Sequence, residues 1–175
     1  MPTTNDRRPA TRVGYGFDSH EFQLGIPLKI GGVTLPHDRG LGGHSDGDVL
    51  LHAITDALLG AAAAPDIGTL FPPSDPKWKG ADSAVFLREA LKRVRDEGYA
   101  VANVDASLIL AAPKIGPHAA AIRSEVAKLL GVPADCVGLK AKTPEGLNLE
   151  NAALAHAVVL LQRARKPGQK KKSRR

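Results

Sequence analysis

"SDGDVLLHAITDALLGAAAA", residues 45–64, is the stretch at which the hydrophobic pattern changes period. Val49, Ala53, Ile54, Ala57, Leu58 and Ala61 recur at helical spacing, with Ser45 or Asp46 as the natural cap, so a helix is predicted from about Ser45. His52 lies off that stripe. Upstream, "RVGYGF" (12–17) reads as a short strand and "PLKIGGVTL" (27–35) as two short strands around Gly31-Gly32. Downstream, "PDIGTLFPPSDPKWKG" (65–80) is a proline-rich loop. Asp82 or Ser83 then caps a second helix that buries Val85, Phe86, Leu87, Ala90, Leu91 and Val94 and stops at Gly98. "VANVDASLILAAP" (101–113) predicts a long strand, and "PHAAAIRSEVAKLLG" (117–131) a third helix with Pro near its start and Gly past its end. "CVGLKAKT" and "ALAHAVVLL" complete the set as strands, although the period of the second does not distinguish strand from helix. Strands interleaved with helices imply a sheet with helices packed on it.

At 175 residues the chain fits one domain able to bury a core without disulfides. The formal net charge of +6 is a property of the ends: residues 163–175 carry eight Lys and Arg and no acid, whereas residues 13–162 hold 13 basic and 17 acidic side chains. The expected organisation is a flexible segment 1–12, a domain 13–162 and a basic, disordered tail 163–175. An acidic body, seven aromatic residues in all and no recognition module argue against a nucleic-acid-binding protein. No apolar run resembles a signal peptide or a membrane span, and Cys136 stands alone, so a soluble, cytoplasmic protein with no membrane partner is expected.

Chemistry concentrates in "GYGFDSHEF" (14–22). Residues i and i+2 of an extended chain point the same way, so Asp18 and His20 can converge on one point. His52 adds a second imidazole. One carboxylate and two imidazoles form the donor set of a catalytic zinc site with an open fourth position. "GGHSDGD" (42–48) is expected to put His44 and the Ser45 N–H at a helix N-terminus, which favours a phosphate. In "KAKTPEGL" (140–147), Thr143 offers a hydroxyl and Glu145 a hard oxygen suited to magnesium. Each piece alone also reads as ordinary turn or capping chemistry.

Together, "GYGFDSHEF", "GGHSDGDVLLHAITDALLGAAAAPDIGTLFPPSDP", "KGADS", "NVDASLILAAPKIGPH" and "KAKTPEGL" closely resemble the 2-C-methyl-D-erythritol 2,4-cyclodiphosphate synthase family, from about Val13 to Leu161. The resemblance implies an α+β fold: a single domain whose mixed β-sheet carries helices on one face, assembling as a homotrimer with active sites between subunits. It implies Zn2+ or another divalent transition metal on Asp18, His20 and His52, and Mg2+ or Mn2+ at Glu145. His44 and Thr143 match residues that stabilise the transition state. A small-molecule cytidine-diphosphate substrate would meet Asp18, His20, His44 and Ser45, the loop residues Asp66, Ile67, Gly68, Phe71, Pro72, Pro73, Ser74 and Asp75, and Lys142, Thr143, Pro144, Glu145 and Leu149. Its cytidine end would lie on Leu110, Ala111, Ala112, Pro113, Lys114, Ile115 and Gly116. The implied reaction releases CMP and closes a cyclic diphosphate for isoprenoid biosynthesis.

The sequence departs from the family pattern near its C-terminus. "NLENAALAH" replaces a glycine-rich run, with Ala152 where an arginine is expected, so binding of an isoprenoid diphosphate at the trimer centre is not implied. Lys142 stands where threonine is frequent and offers a compensating charge, and Pro73 replaces a common aspartate. The competing enzymatic reading is a zinc-dependent phosphoesterase, which would release inorganic phosphate instead of CMP.

Overall fold

A computed structural model describes residues 8–164. Most of the basic tail and the first seven residues lie outside that range. Strand β1 (Thr11–Leu24) is longer than "RVGYGF" suggested and begins inside the segment expected to be flexible; it is followed by β2 (Leu28–Ile30), β3 (Val33–Leu35) and β4 (Arg39–Leu41). Next come α1 (Val49–Ala61), α2 (Ile67–Leu70), α3 (Ser83–Asp96), β5 (Tyr99–Leu110), α4 (Ala119–Leu130), β6 (Val137–Lys142) and β7 (Ala152–Arg163). The main sheet runs β4-β1-β7-β5-β6, and β2 and β3 pair separately around Gly31-Gly32 as the sequence indicates. Only β5 and β6 are parallel, so the sheet is mixed.

The ambiguous segment 153–161 is a strand because it pairs on both sides, with β1 and with β5. Its side chains then alternate: Ala153, Ala155, Ala157, Val159 and Leu161 are fully buried, while Val158 and Leu160 face outward. Small residues on the covered face let α1 settle closely. On β1, Gly14 and Gly16 do the same, since a Cβ on either would lie 1.9–2.0 Å from a carbonyl oxygen of α1. The opposite face keeps Val13 (67% exposed), Tyr15 (59%) and Phe17 in the open, so the helices cover one face of the sheet. Val85 departs from the expected core stripe of α3, being 37% exposed, whereas Phe86, Leu87, Ala90, Leu91 and Val94 are buried. It lines an outer groove with Leu70 and Trp78 instead.

The N-cap of α1 also differs from expectation. Asp48, not Ser45 or Asp46, caps the helix by accepting from Leu51 N at 3.0 Å, and its carboxylate takes the amides of Gly31 (2.8 Å) and Gly32 (2.6 Å) as well. Full burial pushes its pKa up against the pull of those three N–H groups. Asp48→Ala would orphan all three donors. We expect a loss of about 2–4 kcal/mol, read as a lower urea midpoint with unchanged m-value; an unchanged midpoint would contradict this account of the cap.

Candidate functional site

The glycine row of β1 sets the depth of α1. Gly14 lies against Ala57 and Ala61, and Gly16 against Ala53 and Ala57, so the helix runs antiparallel to the strand. The next residues on the same face, Asp18 and His20, therefore meet the residue just before Ala53, which is His52. Asp18 Oδ2 lies 2.9 Å from His52 Nδ1 and 2.9 Å from His20 Nε2, and the two imidazole nitrogens are 3.1 Å apart. The pair sits within β1, because the strand runs on to Leu24 past the 12–17 stretch read from the sequence.

These three ligand atoms fit a divalent cation. All lie within 4.8 Å of one another, and a tetrahedral ion with bonds of 2.0–2.1 Å needs separations of about 3.3 Å. Burial works to raise the Asp18 pKa, but hydrogen bonds and charge from His20 and His52 outweigh it and hold the carboxyl well below its usual range. A depressed carboxyl contributes stability above its unfolded pKa and loses it as pH falls through the folded one. The stability gap between wild type and Asp18→Asn, followed in chelator by urea unfolding, should persist down to about pH 4 and close only below it. Closure between pH 7 and 5 would contradict the assignment.

Behind the triad, His52 Nε2 faces Ser83 Oγ at 2.8 Å and Ser45 Oγ at 3.0 Å. Ser83 Oγ in turn donates to Asp46 Oδ1, and Lys29 Nζ reaches Asp46 Oδ2 at 3.1 Å. That hydrogen bond raises the Lys29 pKa, keeping it cationic. The triad opens on a cavity of about 310 Å³ bordered by His44, Ser45, Ile67, Gly68, Phe71 and Pro73. Asp56, one turn after His52, holds this wall by accepting from Ile67 N at 2.8 Å. His44 Nε2 must carry a proton, because it donates to the Asp75 carbonyl at 3.2 Å and a carbonyl only accepts.

Other sequence-predicted residues are placed differently. His44 and Ser45 lie in the loop before α1, whose N-terminus is taken by Asp48, so they are not the anion site of a helix terminus. Asp66 caps α2 through Thr69 N, and Asp75 accepts from Lys77 N. Neither these carboxylates nor Pro72 and Ser74 border the triad's cavity among the described residues. Leu110, Ala111, Pro113, Lys114, Ile115 and Gly116 instead surround a second cavity of about 340 Å³ with Lys142 and Thr143; Ala112 joins Pro113 through a cis peptide bond. The Thr143 hydroxyl donates to Glu145, Pro144 is buried, and the Leu149 carbonyl accepts from Ala152 N.

The structure does not bring Thr143 and Glu145 to the triad within one chain. β6 is three strands from β1, roughly 14 Å at the usual strand spacing. Sequence reasoning missed Trp78 and Phe86, which also border the first cavity, with Phe71 and Phe86 ring centres 4.6 Å apart. It also missed the contacts of Asp46 and Ser83. The available signals were the "KGADS" motif and the four-residue spacing of His52 and Asp56.

Comparison with known proteins gives a consistent result. A family model described as the YgbB family matches residues 11–162. The chain is 70% identical over 152 residues to 2-C-methyl-D-erythritol 2,4-cyclodiphosphate synthase of Koribacter versatilis, covering 87% of this chain and 98% of that protein. It is 56% identical to the chloroplastic synthase of Oryza sativa, covering 87% and 70% respectively. A solved synthase structure, described as a bound form with CDP, superposes with a TM-score of 0.82 at 46% identity, covering 86% of this chain and all of the other.

Proposed function

Since the chain belongs to the YgbB family, we propose that it converts 4-diphosphocytidyl-2-C-methyl-D-erythritol 2-phosphate to the 2,4-cyclodiphosphate and CMP, a phosphorus–oxygen lyase reaction of isoprenoid biosynthesis. The convergence of Asp18, His20 and His52 beside a cavity is the observation that carries this reading. An oxygen of the 2-phosphate forms a bond to the β-phosphorus, and the bond from that phosphorus to the bridging oxygen breaks, its electrons leaving with CMP. The nucleophile is already anionic, so no general base is required; the chain's task is positioning and charge compensation.

Zinc bound by Asp18, His20 and His52 would supply Lewis acidity toward diphosphate oxygens. Glu145 offers one carboxylate to a second ion, magnesium or manganese, whose remaining ligands would come from phosphates and water. With Glu145 engaged by that ion, the Thr143 hydroxyl, which it otherwise holds, would be released to donate to the phosphates beside His44, Lys142 adds charge, and Ile67, Gly68 and Phe71 wall off the erythritol end. The cavity around Pro113 and Gly116 takes the cytidine. Binding of CDP by the solved relative supports a cytidine-diphosphate ligand.

The triad and Thr143 border different cavities of one chain, which favours a site completed by a neighbouring subunit. An uncovered apolar sheet face with Val13, Tyr15, Phe17, Val158 and Leu160 supports association, and we assign a homotrimer. No described helix is long and apolar enough to cross a membrane, and a cytoplasmic location is our assignment. Incubation with the cytidine-diphosphate substrate, zinc and magnesium, followed by phosphorus NMR, tests the reaction. Cyclic diphosphate plus CMP is expected; inorganic phosphate instead would select the phosphoesterase reading.

A further inference from the structure

The geometry points to Ser83 as a positioning residue that, with Asp46 behind it, keeps the proton of His52 on Nε2 and so makes Nδ1 the nitrogen that binds the metal. The inference rests on the triad being a metal site. A serine hydroxyl has one proton, and here it is committed: Ser83 Oγ lies 2.5 Å from Asp46 Oδ1, a carboxylate oxygen that can only accept. The remaining lone pairs of Ser83 can only accept, so the contact of 2.8 Å with His52 requires the proton to sit on Nε2. With Nε2–H committed to Ser83, Nδ1, which faces Asp18 and His20, is the nitrogen whose lone pair a cation takes, displacing the proton that Nδ1 otherwise shares with the Asp18 carboxylate.

Asp46 is anchored for this purpose on its other oxygen by Lys29 Nζ at 3.1 Å, and Ser83 N approaches the same oxygen as the hydroxyl at 3.3 Å. Ser83 is completely buried, so water does not compete for either contact. Ser45 cannot substitute. Its hydroxyl also lies 3.0 Å from His52 Nε2, but its only other contact among the described residues is Ser83 Oγ at 3.4 Å, so nothing dictates whether it donates or accepts. Partners of this kind raise ligand basicity and hold the ring in line with the metal; their loss typically lowers metal affinity about 10–100-fold.

Zinc affinity measured by chelator competition should fall within that range in Ser83→Ala, with folding checked by circular dichroism, whereas Ser83→Thr, which keeps the hydroxyl, should retain wild-type affinity. In the zinc-loaded wild type, nitrogen-15 NMR of the His52 imidazole should show a protonated Nε2 and a metal-bound Nδ1. That spectrum needs no variant and decides the matter even if Ser83→Ala fails to fold. Coordination through Nε2, or wild-type affinity in a folded Ser83→Ala, would overturn the relay. A wild type that binds no zinc at all would instead remove the metal-site reading beneath it.

Discussion

His52→Ala is expected to abolish zinc retention and lower turnover about a thousandfold or more while leaving a folded protein. The ring contributes Nδ1 to a donor set that has only two other members, Asp18 and His20. Two ligands cannot close a tetrahedral site with one exchangeable position, so the cation is lost at ordinary concentrations. Lewis-acid stabilisation of a phosphoryl transition state is worth several kcal/mol, and about 4 kcal/mol corresponds to about a thousandfold in rate. The fold should survive because His52 lies beside the apolar stripe of α1 and keeps 11% of its side chain exposed. Metal content by mass spectrometry and CMP release measure the two effects. Full turnover in a metal-free His52→Ala sample would refute the assignment of the site.

The second large effect is expected from Gly16→Ala, with Gly14→Ala close behind. A Cβ at position 16 would stand 2.0 Å from the Ala53 carbonyl oxygen and 2.6 Å from Ala57 N; at position 14 it would stand 1.9 Å from the Ala57 oxygen. These are backbone atoms of a helix, so no side-chain rotation relieves the overlap, and α1 must lift from the sheet. We expect a cost of about 3 kcal/mol or more. Lifting α1 also draws His52 away from Asp18 and His20, so zinc affinity should fall with stability. Gly60→Ala is the control: it sits in the last turn of the same helix, its Cβ would approach Tyr15 O at 3.8 Å, an ordinary contact, and the change should stabilise the helix by up to about 1 kcal/mol. Urea midpoints and chelator competition on the three variants give the comparison. A Gly16→Ala protein equal to wild type in both would show that the strand and helix are not packed this closely.

The family, the cluster of Asp18, His20 and His52, and most elements were legible in the chain. Asp18 and His20 could be paired from sequence because alternation in a strand is a local rule, and His52 could be placed on a helix by the spacing of its neighbours. The role of Gly14 and Gly16 was not legible in the same way, because a glycine's reason lies in what approaches it. Segment 153–161 shows why period alone fails: in a run of alanine, valine and leucine every face is apolar, and pairing with strands on both sides decided the outcome.

Local chain geometry by itself determined which side chains share a face and where the helical period begins, because both depend only on bonds within a few residues. The tertiary structure decided that Asp48, and neither Ser45 nor Asp46, caps α1, since the choice goes to the carboxylate that Gly31 and Gly32 can reach. It also decided that Ser83, 31 positions from His52, stands behind that ring. Contacts of this range arise only when the packing of α1 and α3 brings distant segments together, and no periodicity in the chain encodes them.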